Sequence, residues 1–322
     1  MSFRFCLGAS GSGKSRLLHN MVLEKAQESL RSKEKGRDNY VIIVPDQYSM
    51  QTQKEIVSES PNKGILNIDV LSFGRLTHKI FEEIGVSRRA VLDDTGKTLL
   101  LRRVAGQCEK DLKILGRSIH YPGMIAEVKS VISEFMQYGI GDSELALMQD
   151  FAAGRGQGAL NARLLDLQVL YQAFLQGKRD RFITNEEMLD LLAEAIPSSD
   201  WVGRSTFVLD GFTGFTPVQY RVIMALIRCS KEVIISLTFG RDNGPSLEWV
   251  NRHKSPGGED ALFYLTRKTV CDIEKMAALE GISKPCVAAR GAGVDEGGHD
   301  VCSDLVTLGL DGSPVAGAVT RG

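Results

Sequence analysis

Gly8-Ala9-Ser10-Gly11-Ser12-Gly13-Lys14-Ser15 satisfies G-x-x-x-x-G-K-[ST] at every fixed position, the pattern of a loop that wraps phosphate groups. The chemistry it offers is electrostatic. Glycines let successive backbone N–H groups turn toward phosphate oxygens, Lys14 brings a point charge to the β and γ phosphates, and Ser15 offers a hydroxyl to Mg²⁺. Lys14 is therefore expected to face a ligand rather than the core. Such a loop must be held between a strand and a helix, whose N-terminus adds a positive dipole end. Residues 3–7 are a short apolar stretch, and Leu17, Leu18, Met21, Val22, Ala26 and Leu30 mark one helical face after the loop, with Gly36 as a stop. A flexible Gly/Ser loop without a ligand is the competing reading, and it leaves that context unexplained.

A phosphate loop needs a second carboxylate, at the end of a neighbouring apolar strand, to hold Mg²⁺ through its water shell. Asp210, following Phe207-Val208-Leu209, is the candidate; the alternative is an aspartate that simply opens an Asp-Gly turn. In many phosphate-loop ATPases a glutamate comes next and orients the attacking water. Here Gly211 and Phe212 stand in its place. The expectation is nucleotide binding with weak or absent hydrolysis, unless a base or an arginine finger arrives from elsewhere. If only that carboxylate is missing, Gly211→Glu raises hydrolysis. Asp94-Thr95-Gly96-Lys97-Thr98 imitates half of the same motif, but Val91 stands where the leading glycine belongs.

Ser72, Phe73 and Arg75 close a strand with a hydroxyl, an aromatic ring and a cation, a set that stacks a base and holds a phosphate of single-stranded DNA. The opposing reading puts Phe73 in the core and Arg75 on the surface. Asp46 and Gln47, after Pro45, sit at another strand end, placed for nucleotide or DNA or for a helix cap. Lys97, Arg102, Arg103, Lys110, Lys113 and Arg117 mix with acids on helical segments and read as a solvated face. The histidines (His19, His78, His120, His253, His299) show no partners at metal spacing. The six cysteines (Cys6, Cys108, Cys229, Cys271, Cys286, Cys302) form no C-x-x-C pair, as in a reduced cytosolic protein.

The 39 Lys and Arg residues nearly balance 40 Asp and Glu, for a net charge of -1, so any contact with nucleic acid must be local. No apolar run approaches the ~20 residues that span a bilayer, and a strand beginning at residue 3 leaves no room for a signal peptide. The expectation is a cytoplasmic protein with no membrane partner.

Apolar runs of strand length at residues 40–45, 65–73, 206–209 and 232–239 alternate with helical segments, which argues for an α/β layer. Between about residues 77 and 200 the pattern turns helical, at 99–101, 125–138 and 160–175, with a Gly/Ala-rich loop at 152–158. The predicted organisation is a discontinuous α/β domain (1–90 and 201–282) interrupted by an all-helical insertion (91–200). Residues 283–322 hold eight glycines and no aromatic residue, and are expected to be disordered or loosely attached.

With these pieces in order, the chain resembles the N-terminal part of the AddB family, the B-type subunits of the ATP-dependent helicase/deoxyribonuclease AddAB, which processes double-strand breaks in bacteria. The resemblance rests on Leu7 to Ser15, Ile43-Val44-Pro45-Asp46-Gln47, Val70-Leu71-Ser72-Phe73-Gly74-Arg75-Leu76 and Leu209-Asp210-Gly211-Phe212-Thr213-Gly214-Phe215-Thr216-Pro217, with Leu262-Phe263-Tyr264 and Thr269. It covers about residues 1–282. It implies a superfamily 1 helicase-like P-loop NTPase (RecA-like) sheet flanked by helices, which binds ATP and Mg²⁺ and DNA and pairs with the helicase-nuclease subunit AddA in recombinational repair. Arg16 matches the arginine that superfamily 1 relatives carry beside the nucleotide, and Asp-Gly-Phe in place of Asp-Glu is a family trait. Family members are several times longer, with a second helicase-like domain, a nuclease domain and four cysteines on an iron-sulfur cluster. The chain is accordingly read as a fragment or truncated product without nuclease activity. Two other readings stand: a small-molecule or nucleoside kinase on the same loop, for which no basic lid is evident, and a vestigial loop in a module that only docks a partner.

Overall fold

The computed structural model describes residues 2–31, 38–61, 63–85, 90–179, 181–239 and 262–282, and short strands at 286–290, 293–294, 300–301 and 306–308. Gly36, His253, His299 and Cys302 lie outside the described residues, as does 309–322. The chain forms two compact units, Met1–Ile84 with Leu192–Phe215 and Tyr220–Gly322, and Gly85–Leu191 with Thr216–Gln219. The first begins with β1 (Ser2–Gly8), α1 (Lys14–Arg31), β2 (Asn39–Ile43), α2 (Ser49–Glu59), β3 (Ile68–Leu71) and α3 (Phe73–Ile84). The second holds β4 (Ala90–Leu92), α4 (Asp94–Cys108), α5 (Pro122–Tyr138), α6 (Asp142–Gly154), α7 (Gly158–Lys178) and β5 (Phe182–Thr184), and α8 (Asn185–Ala195) leads out of it. The chain then runs through α9 (Asp200–Gly203), β6 (Ser205–Leu209), α10 (Pro217–Cys229), β7 (Glu232–Thr238) and α11 (Tyr264–Leu279). Beyond these come β8 (Cys286–Arg290), β9 (Gly293–Val294), β10 (Asp300–Val301) and β11 (Val306–Leu308).

The first unit is α/β, built on a seven-stranded sheet of order β11-β8-β1-β7-β6-β2-β3. It is parallel except where β11 meets β8. β6 is buried along its whole length, and β2 and β7 nearly so. Apolar runs without alternation are what a strand covered on both faces requires. On one face Leu18, Val22 and Ala26 of α1 and Ile56 of α2 close over Cys6, Ile42, Val208 and Ile234. The chain leaves β1 for β2, three places along the sheet, whereas from β7 it passes β1 to reach β8 on the other side. The connections thus diverge beside β1, and in open α/β sheets the crevice at the strands' carboxyl ends is then the ligand position.

The expected strands are present, with 65–73 shortened to Ile68–Leu71. One expectation for the tail is corrected: residues 286–290 pair in parallel register with β1, Arg4 opposite Cys286 and Gly8 opposite Arg290. Cys-Val-Ala-Ala-Arg is too short and alanine-rich to announce a strand; the open edge of β1 supplies the pairing.

The second unit is not all helical. β4 and β5 pair in parallel, Ala90 opposite Phe182 and Leu92 opposite Thr184, where the chain enters and leaves the unit. Three-residue strands are too short to show a period. The unit's core joins Leu101 and Val104 of α4, Ile125 and Ile132 of α5, and Leu170 and Phe174 of α7. α4 and α7 approach closely at Gly177, where a Cβ would stand 3.0 Å from Val104 Cγ1. Buried Asp166 accepts the backbone N–H groups of Lys113, Ile114 and Leu115 at 2.7 to 2.8 Å. Arg102, Arg103, Lys110, Lys113 and Arg117 are exposed, as a solvated face requires. Lys97 departs from it: only 3% exposed, it donates to both carboxylate oxygens of Glu186 at 2.7 and 2.9 Å. Among the described residues no helix is long and apolar enough to cross a membrane.

Candidate functional site

The loop between β1 and α1 turns on Gly11 and Gly13, at φ +74° and +76°. Side chains are strained there, so both positions call for glycine. A bond from Ser12 N–H to the Ala9 carbonyl (3.2 Å) closes the turn, and one from Leu17 N–H to Gly13 O (3.0 Å) starts α1. Gly8, Ala9 and Ser10 lead from the strand into this turn.

Lys14 does not stand out into the ligand space. It is 7% exposed, and its Nζ bends back to donate to the carbonyls of Gly8 (2.9 Å) and Ala9 (2.8 Å). As the first residue of α1 it lies beyond the carboxyl end of β1, where a long side chain covers the loop it belongs to. Burial pushes its ammonium below the ordinary lysine range, while Cys6 and the Asp210 carboxylate pull the other way. Ser15 and Arg16 are exposed on the outer side of the same turn, and Arg16 Nε lies 4.0 Å from Glu59.

Asp210 follows β6 and is buried, held by its N–H on the Ile43 carbonyl at 2.9 Å. Its Oδ2 lies 3.9 Å from Nε2 of His19. His19 has no partners at metal spacing in the chain, and only the fold brings it to Asp210. The signal available was its place on α1, one turn past Ser15. Gly11, Gly13, Lys14, Ser15, Arg16 and His19, with Glu55 and Glu59 of α2, line a cleft of about 410 Å³. The two glutamates were likewise not singled out by sequence. A larger hollow of about 630 Å³ is lined by Ser199, Asp200, Arg204 and Cys229. It lies at the start of β6, opposite the carboxyl edge, and gathers no phosphate-type loop.

Gly211 takes φ +79°, with a Cβ position 3.6 Å from Pro45 Cδ. The missing glutamate is therefore not a matter of one side chain, because the backbone here is left-handed. A side chain at such a position costs about 1–2 kcal/mol. Gly211→Glu and Gly211→Ala are expected to lower the melting temperature alike, by a few degrees, with no gain in phosphate release. Equal melting of the Glu variant and the parent, together with faster release, would refute this.

The expected DNA-binding set separates. Ser72 is buried and its Oγ accepts the Arg75 N–H at 3.5 Å, at the start of α3. Phe73, 6% exposed, packs its ring against Phe212 (5.7 Å between centroids) and Phe215 (6.5 Å). A ring in that cluster cannot stack a base, and the physical reason is the Asp-Gly-Phe segment, which supplies the apolar partners. Arg75 remains exposed, as do Asp46 and Gln47 beyond β2. Asp46 begins a short 3₁₀ turn whose N-cap is Pro45, so it is not the helix cap. Among the described residues no three His, Cys, Asp or Glu side chains gather as a metal site.

Beyond its geometry, the chain matches the family model "ADDB, N-terminal" over residues 5–291. It is 39% identical over 282 residues to the B-type ATP-dependent helicase/deoxyribonuclease subunit of Lachnoclostridium phytofermentans, covering 88% of this chain and 23% of that protein. The proteins of the same description from Alkaliphilus oremlandii and Desulforamulus reducens are 30% identical over 287 residues and 34% over 239. These alignments cover 89% and 74% of this chain, and 23% and 20% of the relatives. The chain thus spans less than a quarter of the length of these relatives. A family match over most of its residues, on the loop and strand ends just described, places this chain in the AddB family.

Proposed function

We propose that this chain is an ATP- and Mg²⁺-binding, helicase-like part of a helicase-nuclease complex that processes DNA double-strand breaks for recombinational repair, with weak or no hydrolysis of its own. The observation that carries it is the loop of Gly8, Ala9, Ser10, Gly11, Ser12 and Gly13, which brings Lys14 to the head of α1 at the sheet's switch point, in the electrostatic reach of Asp210. That placement supports reading the sheet as a P-loop NTPase (RecA-like) one. The residues fit the ligand: Ser12 Oγ, in the loop itself, is a buried polar atom without a hydrogen-bond partner among the described residues.

In this reading the backbone N–H groups of the loop and Lys14 hold the phosphates, Arg16 lies beside them, and Ser15 and Asp210 hold Mg²⁺. When bound there, Mg²⁺ would supply neutralisation of the phosphate charge. Gly211 and Phe212 present no base to a water, which supports weak hydrolysis. The relatives are described as ATP-dependent and as one subunit of a helicase/deoxyribonuclease, which supports a heterodimer with the helicase-nuclease subunit AddA, acting on DNA in the cytoplasm. Of the strand-end residues, Arg75 is the one left to meet a DNA phosphate.

The test is titration calorimetry with ATP and Mg²⁺, coupled to phosphate release with and without single-stranded DNA. Binding without release is expected. DNA-stimulated release by the chain alone would replace the accessory reading with a motor, and absence of binding would leave only a docking module.

A further inference from the structure

His19 is an odd residue for its position. Apart from Lys14 at its start, the other buried residues of α1 are apolar: Leu18, Val22, Leu23 and Ala26. His19 is 4% exposed, and its Nε2 finds no hydrogen-bond partner among the described residues. A buried ring nitrogen in that state costs free energy that a leucine would not. Asp210 Oδ2, at 3.9 Å, is beyond hydrogen-bond range. It is at a separation that a water spans. His19 also lines the cleft that holds Lys14 and Ser15, together with Glu55 and Glu59 of α2.

We infer that His19 is a positioning residue of the cation site, its Nε2 holding a water of the Mg²⁺ shell between Asp210 and the Ser15 turn. The inference rests on the nucleotide reading above and deepens it. Ser15 and His19 are four residues apart on α1, hence on one face, and Asp210 is delivered by β6 from far along the chain. His19 is the residue that links them: it lines the cleft with Ser15 and lies 3.9 Å from Asp210. Outer-shell groups of this kind change metal affinity about 10- to 100-fold when removed. They leave metal-free binding alone, because they touch no phosphate.

The experiment measures binding of a fluorescent ATP analogue to the 322-residue chain across a Mg²⁺ titration and in EDTA. The proteins are the parent, His19→Leu, His19→Phe, His19→Gln and Lys14→Met. The expected result is that His19→Leu and His19→Phe each raise the Mg²⁺ concentration for half-maximal binding about tenfold with the EDTA affinity unchanged. His19→Gln, whose amide reaches to a similar point, restores the midpoint to within about threefold of the parent. An unchanged Mg²⁺ midpoint in both His19→Leu and His19→Phe, with binding still dependent on Lys14, overturns the role of His19 alone. Equal losses in EDTA and in Mg²⁺ make it a packing residue and overturn it too. Binding that survives Lys14→Met unchanged overturns the nucleotide reading on which it rests.

Discussion

Lys14→Met lowers ATP affinity at least 100-fold while the melting temperature stays at or above that of the parent. Two properties of this lysine separate binding from folding. Its ammonium is buried at the carboxyl end of β1 and, among the described residues, hydrogen-bonded to the neutral carbonyls of Gly8 and Ala9, so the charge is an expense to the fold. With phosphates in the loop the same ammonium makes charge-assisted bonds, each about 1.5–3 kcal/mol. Two such bonds amount to about 3 kcal/mol or more, hence the hundredfold loss.

The pH dependence follows from the direction of the shift. Burial lowers the Lys14 pKa in the folded state, so between that value and the ordinary lysine value of about 10.4 the unfolded chain binds more protons. Stability attributable to this residue rises with pH across that window, and the charged form costs stability below it. The parent is therefore expected to gain on Lys14→Met as pH climbs toward 10. Calorimetric titration with ATP and Mg²⁺, with melts at pH 7 and 9.5, checks both halves; equal affinity of parent and variant would remove Lys14 from the site.

Lys97→Met destabilises the second unit by about 3–5 kcal/mol, the largest stability effect we expect from one substitution outside the apolar core. Lys97 and Glu186 are both buried, the ammonium bridging the two carboxylate oxygens at 2.7 and 2.9 Å, with Ser133 Oγ a third partner at 3.3 Å. Removing one ion leaves the other buried and unpaired. Removing both does not: Lys97→Met with Glu186→Met recovers most of the loss, because apolar side chains replace two desolvated charges. Urea unfolding of the two variants and the parent checks this. A single variant within about 1 kcal/mol of the parent would show that water reaches Glu186.

The same pair explains why Gly96-Lys97-Thr98 is no second phosphate loop. The lysine is engaged by Glu186, Asp93 caps α4 through Gly96 N–H at 2.7 Å, and the Gly96 Cβ position falls 2.8 Å from Leu92 Cδ2. That glycine serves packing. At Gly11 nothing lies within 4 Å of a Cβ, and there the need for glycine is the dihedral alone.

Whatever depends on neighbours along the chain was legible in the residues alone. The loop is local chemistry, eight residues whose types set its turn, and the inner strands β2, β6 and β7 announced themselves because burial on both faces leaves an unbroken apolar run. The helical character of the 91–200 region was readable in the same way. Which distant side chains meet is settled by the folded chain instead. Lys97, charged and on a helix, reads as solvated until Glu186 arrives from α8. Phe73 reads either as a stacking ring or as a core residue until the segment after β6 brings Phe212 and Phe215 against it. His19 lacks partners until the sheet order sets Asp210 beside α1. Periodicity reports that a position is covered, not by what; the cover is chosen by strand order and register, which arise from contacts between residues far apart in the chain.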